Sequence, residues 1–136
     1  MTDNTRSEVL GDRPWPGHYT FVPAIRVGDT IYISGTTGGG DDGKITAPGD
    51  IAEQTRQIFR KFDRLLRSIG GSCEDIVSTT DHFTTTENYG KTAAVRREFM
   101  PNNRPTSTGV MVAGLLRKDA LIEITAIAVL GSGAKR

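Results

Sequence analysis

Few side chains in this sequence are equipped for chemistry, and the sharpest of them is Glu123. It stands in Leu121-Ile-Glu-Ile-Thr-Ala-Ile-Ala-Val129, an otherwise apolar run. A carboxylate in such a run must be paired, protonated or functional, because burying an unpartnered charge is costly. Two readings follow: an ion pair across a subunit interface, or a general acid or base facing an interfacial pocket. Asp81-His82 suggests part of a nucleophilic triad, with a serine such as Ser34 elsewhere. Adjacent strand residues point to opposite faces, however, so Asp81 cannot easily orient the His82 ring. A histidine satisfied by a neighbouring hydroxyl fits this threonine-rich stretch better, and whichever of the two faces an interface is a pocket candidate.

Other patterns weaken when their requirements are applied. Gly38-Gly-Gly-Asp-Asp-Gly-Lys-Ile45 matches the first seven positions of a phosphate loop but puts Ile45 where the magnesium-binding hydroxyl belongs, and Asp41 and Asp42 would repel phosphate. A flexible loop, open to service as a lid, is expected instead. Arg56, Arg60, Lys61, Arg64 and Arg67 read as a solvated helix face, since no aromatic is interleaved and Glu53 and Asp63 dilute the charge. His18, His82 and Cys73 fall in three separate elements without ligand spacing, so no metal is expected. Cys73 follows a helix C-terminus, where the dipole raises a thiol pKa, which argues against a redox role.

The elements that must position these groups follow from patterning. The 136 residues are 36% hydrophobic and 24% charged with a formal net charge of +1, which suits one soluble domain and disfavours a dedicated nucleic-acid binder. No stretch reaches the roughly 18 to 20 apolar residues that cross a bilayer, no apolar signal core opens the chain, and a single cysteine fits the reducing cytoplasm. Residues 1–14 are expected to be a flexible segment, 15–130 a single domain and 131–136 a flexible tail. Phe21–Val27 and Thr30–Ser34 predict a hairpin turning at Gly28-Asp29, followed by a long loop over 35–49. Asp50–Ile69 predicts a helix with a capping box at Asp50 and Glu53 and a stop at Gly70-Gly71. Ile76–Thr84 predicts a strand and Thr86–Met100 a second helix with Tyr89, Ala93, the Arg96 stem and Phe99 inward. Thr106–Ala113 and Leu121–Leu130 predict two more strands. The order β-β-α-β-α-β-β packs as an α+β layer pair, a mixed sheet with both helices on one face. Both faces of the last strands carry apolar residues, so the helix-free face is expected to be covered by another subunit.

In these residues the sequence resembles the RidA/YjgF family, also labelled L-PSP endoribonuclease. The resemblance rests on Ile31-Tyr-Ile-Ser-Gly35, on Ile69-Gly-Gly-Ser-Cys-Glu-Asp-Ile-Val77 with the strand after it, and on the run from Ala113 to Val129. It implies a chorismate-mutase-like subunit assembled as a homotrimer with three pockets between subunits. It implies cofactor-free hydrolysis or tautomerisation of an imine or enamine metabolite, with no nucleic-acid or membrane partner. Tyr19 then matches the pocket tyrosine, Ser34 and Gly35 the strand end that meets substrate, and Glu123 the acid that holds and activates water. An iminium carbon is already electrophilic, so a positioned water and one carboxylate are sufficient for such a reaction.

Three positions depart from the deaminase pattern. Where deaminase members carry the arginine of Pro-x-Arg that clamps the substrate carboxylate, this chain has Ser107; their cysteine is Gly109, and their second-helix asparagine is Ala93. A simple 2-imino acid is therefore not the expected substrate. Either Arg104 reaches back, or a larger, less acidic molecule is recognised through Ser107, Thr108 and aromatic contacts from Trp15, Tyr19 or Phe83. A pathway-specific cyclase, isomerase or dehydratase and a non-enzymatic ligand-binding trimer are the alternatives on the same scaffold.

Overall fold

Spacings of three and four between Ile51, Thr55, Ile58, Phe59, Phe62, Leu65 and Leu66 put one apolar stripe along a helix. In the computed structural model, which describes residues 4–134, helix α1 spans Ile51–Arg67 and buries every one of them. Asp50 caps it, its Oδ1 accepting from the Glu53 backbone N–H at 3.0 Å. Only that half of the predicted capping box forms, because Glu53 turns its carboxylate to Arg56 and Arg60. At the other end Gly70 takes φ +86° and the Gly71 N–H donates to Leu66 O at 2.9 Å, which closes the helix.

The strands are β1 (Arg6–Val9), β2 (Ala24–Val27), β3 (Thr30–Thr37), β4 (Ile76–Phe83), β5 (Thr106–Met111) and β6 (Ile122–Val129). They form one six-stranded sheet in the order β1-β2-β3-β6-β4-β5, antiparallel except for β4 and β5. That parallel pair is joined across helix α2 (Thr92–Phe99), as a parallel connection requires. The mixed sheet with helices on one face is the expected α+β architecture. Gly28, at φ +59°, makes the two-residue turn that sets Val27 opposite Thr30.

Several boundaries differ from the sequence reading. Arg6–Val9 is a strand paired with β2, Arg64 Nε donates to Asp12 Oδ1 at 2.9 Å, and Arg13 pairs with Asp41, so the segment before Trp15 is fastened rather than loose. Its short, polar, edge-exposed strand offers no periodicity to read. At the other terminus the Gly133 N–H donates to Asp75 Oδ1 at 2.9 Å. The expected looseness of residues 1–3 and 135–136 lies outside the described residues. The element order therefore begins with an additional strand. The second helix is shorter than predicted, a 3-10 turn (Tyr89–Lys91) leading into α2; it buries Thr92 and Val95 and leaves Ala93 exposed.

Alternation along β6 sorts the two faces. Ile122, Ile124, Ala126 and Ala128 are buried beneath α1 with Ile31, Ile33, Phe59 and Phe62. Glu123, Thr125, Ile127 and Val129 face the helix-free side. There Ile25, Tyr32 and Ile127 stand in register across β2, β3 and β6, and Tyr32 is 51% exposed. Among the described residues no helix is long and apolar enough to cross a membrane.

Asp81 belongs to the helix side, where it is fully buried. Its Oδ2 accepts from Arg96 at 2.5 Å and from the Tyr89 hydroxyl, while Oδ1 has no partner. Arg96 also lies 5.6 Å from the centroid of the Phe59 ring. Burial first, and the bond to Asp81 second, push the Tyr89 hydroxyl up to about 12. Asp81→Ala removes the buried partner of two half-buried groups, the Arg96 guanidinium and the Tyr89 phenol, and is expected to cost about 1 to 3 kcal/mol in chemical denaturation. Arg64→Ala, which breaks only the exposed pair with Asp12, is expected to cost less than about 1 kcal/mol.

Candidate functional site

Between Ile33 and Thr36, β3 carries a bulge that presses Gly35 against β6. A Cβ on Gly35 would sit 3.0 Å from Thr125 Oγ1 and 3.2 Å from Glu123 Oε2. The requirement for glycine is close approach, and what it makes room for is the Glu123 carboxylate. β3 therefore runs to Thr37, taking in the first residues of the predicted loop. The glycine segment beyond it is ordered. Gly39 bridges Ile45, the Gly43 N–H donates to Gly40 O at 2.9 Å, and a Cβ on Gly38 would come within 2.8 Å of Gln54 Cα. This small hairpin is held to α1 by Gln57, whose Nε2 donates to Gly39 O at 3.1 Å.

Gln54, which the sequence reading passed over as polar, is fully buried. Its Nε2 donates to Ala47 O at 2.9 Å and Asp119 O at 3.1 Å, and its Oε1 accepts from the Leu121 N–H at 2.8 Å. One side chain thus ties the loop before α1 to the approach to β6, and so sets the height of Glu123.

These elements enclose a cleft of about 410 Å³. Glu123, Ser34 and Gly35 line one side; Trp15, Tyr19 and Phe21 form an aromatic wall; Gly39, Gly40 and Gly43 close another edge. The Tyr19 and Phe21 rings stack with centroids 5.5 Å apart, and Trp15 meets both edge-on. Ser34 Oγ donates to Val22 O at 2.7 Å, so its hydroxyl secures the aromatic segment. The Glu123 carboxylate makes no hydrogen bond or ion pair with any described residue.

The remaining candidates lie elsewhere in the subunit. Ser107, Thr108 and Gly109 are on the exposed edge strand β5, two strands from Glu123, or about 10 Å at the usual strand spacing. Arg104 precedes them, also exposed and not in the cleft. Phe83 is buried on the helix side, its ring 4.6 Å from Tyr89 and packed on Gly109, so it does not line the cleft of its own subunit.

The sequence reading misplaced two groups. His82 is the cross-strand partner of Glu123, and its Nδ1 is buried without a hydrogen bond, so no hydroxyl satisfies it as expected. Asp81 does point away from it, as alternation requires. Lys61 is not part of a solvated stripe. Arg56, Arg60, Arg64 and Arg67 each find a carboxylate, whereas Lys61 turns into the cleft beside Phe62, Leu65 and Arg117. Burial first and Arg117 second hold its ammonium down to about 8 from an ordinary 10.5. Burial pushes the Cys73 thiol far up, in keeping with an unreactive core residue. Among the described residues no three His, Cys, Asp or Glu side chains gather in a metal-binding group.

The chain can be set beside known proteins. A model of the family described as Endoribonuclease L-PSP matches residues 13–130. Over 108 residues the chain is 32% identical to 3-aminoacrylate deaminase RutC from Acinetobacter baylyi, covering 79% of this chain and 85% of that protein. The Rid protein YyfA from Yersinia pestis is similar with a TM-score of 0.79 at 28% identity, over 93% of this chain and 100% of that one. A Mycobacterium tuberculosis member of the YjgF/YER057c/UK114 family gives a TM-score of 0.75 at 28% identity, with the same 93% and 100% coverage.

Gly35→Ala asks the Thr125 hydroxyl and the Glu123 carboxylate to give by a few tenths of an ångström and is expected to cost less than about 1 kcal/mol in chemical denaturation; a loss well above that would show that the two side chains cannot move. For Lys61 the folded pKa lies below the unfolded one. Between about pH 8 and 10.5 the unfolded chain holds a proton that the folded chain has released. The contribution of Lys61 to stability therefore rises with pH across that window. The difference in unfolding free energy between wild type and Lys61→Met is expected to follow it, and a flat difference would contradict the burial of this ammonium.

Proposed function

Because this chain belongs to the endoribonuclease L-PSP family, also called RidA/YjgF, we propose that it hydrolyses or tautomerises the C=N bond of an imine or enamine metabolite in clefts completed by a cytoplasmic homotrimer. The observation that carries this reading is the Glu123 carboxylate, unpaired on the helix-free face and given room by Gly35 beside an aromatic wall. A carboxylate so placed accepts a proton from water as the water oxygen bonds to the iminium carbon. It returns that proton to the nitrogen of the carbinolamine, then takes the carbinolamine hydroxyl proton as the C=O bond forms and the C–N bond breaks; passing this proton to the departing ammonia leaves a carbonyl, ammonium and the carboxylate in its starting form. For tautomerisation the same group moves a proton between carbon and nitrogen. No step requires a cofactor.

The similarity to a 3-aminoacrylate deaminase supports chemistry at an enamine or imine. The uncovered row Ile25, Tyr32 and Ile127 supports burial against further copies of the chain. A neighbouring copy laid on this face would bring its own exposed β5, with Thr108, Gly109 and Arg104, towards the cleft. With Ser107 in place of the family's arginine, a simple 2-imino acid loses its bidentate clamp and is not the preferred substrate.

Imines generated by amino-acid oxidases from neutral, aromatic and acidic amino acids supply the test. The protein is expected to speed ammonia release from at least one of them, and Glu123→Gln to lower that rate about 100-fold or more. Sedimentation is expected to give three times the chain mass for both proteins. No acceleration across the panel, or equal rates for the variant, would remove the hydrolase reading.

A further inference from the structure

Every arginine on α1 that could compete for an anion is already neutralised: Arg56 by Glu53 and Glu98, Arg60 by Glu53, Arg64 by Asp12 and Arg67 by Asp63. Lys61 differs. It lies one turn beyond Gln57, the residue that holds the glycine hairpin, and lines the cleft with Arg117 from the loop before β6. Neither cation has an ion-pair partner among the described residues. Glu123 lines the same cleft without pairing to either. Two cationic side chains and one carboxylate thus line a single cleft of about 410 Å³ without pairing across it.

We propose that Lys61 and Arg117 form an anion subsite for a substrate carboxylate set apart from the reacting carbon. The inference rests on the imine reading above and deepens it by naming a substrate class: an imine or enamine that carries a carboxylate remote from its C=N carbon. An iminium group is positive, and it is drawn to Glu123. A carboxylate is drawn to Lys61 and Arg117, where it offsets both the desolvation of Lys61 and its repulsion by Arg117. The lowering of the Lys61 pKa by burial and by Arg117 agrees with an ammonium that has no acidic residue beside it. Recognition moves in this way from the β5 position, where Ser107 has no charge, to two residues on other elements.

Isothermal titration of the full-length protein with levulinate and with its uncharged ethyl ester separates the possibilities. The wild type is expected to bind levulinate about tenfold or more tightly than the ester. Lys61→Gln and Arg117→Gln are each expected to erase most of that preference. The exposed Arg117 serves as the second variant should Lys61→Gln disturb the helix. Glu123→Gln is expected to keep the preference while losing imine turnover. A wild type that does not distinguish acid from ester, or variants that both retain the preference, would overturn the subsite. Retained preference for the acid without any imine turnover would leave the subsite standing and remove the imine reading.

Discussion

The period-two alternation of β6, locked from both sides, is the constraint on which the rest of the molecule depends. β6 is hydrogen-bonded antiparallel to β3 and to β4, so its register is set twice. Slipping it by one residue would turn Ile122, Ile124 and Ala126 out from under α1. The same slip would drive Glu123 into a core of Phe59, Phe62 and Ile31, at the full cost of burying a charge. Packing of the helix and presentation of the carboxylate are therefore a single decision. Gln54 makes it firm by fastening Asp119 and Leu121 to the start of α1.

The same alternation assigns two carboxylates on neighbouring strands to different work. Asp81 points to the helix layer, where Arg96 and Tyr89 satisfy it, and its role is structural. Glu123 points to the uncovered face and meets no partner, although His82 stands directly across from it on β4. Charge on α1 is sorted by a related rule of geometry. Arg56 and Arg64 reach acidic residues of other segments, Arg60 and Arg67 pair with Glu53 and Asp63 on α1 itself, and Lys61 lies over the cleft with no acidic residue paired to it.

Much of the architecture was legible because it rests on local signals. The stripe from Ile51 to Leu66, the Asp50 cap, the Gly70-Gly71 stop and the Gly28 turn are all readable within a few residues of themselves. The misses share a cause. β1 is held by pairing to β2, and the segment after it by the ion pairs of Asp12 with Arg64 and Arg13 with Asp41, all long-range, and the β1 residues themselves carry no pattern. The glycine hairpin looked mobile because its order comes from Gln57 and from the close packing of Gly38 on Gln54.

Sequence alone determined the kinds of group available: one carboxylate in an apolar strand, a chain poor in histidine and cysteine, and sheet faces that both need covering. Only the tertiary structure decided which of these groups meet. That Gly35 clears space for Glu123, that His82 is its cross-strand neighbour and that Lys61 leaves the arginine face for the cleft all depend on strand register and on contacts between distant segments. Side-chain type and spacing are local properties of a chain, whereas a site is a set of distances between segments, and those distances exist only once the sheet has paired.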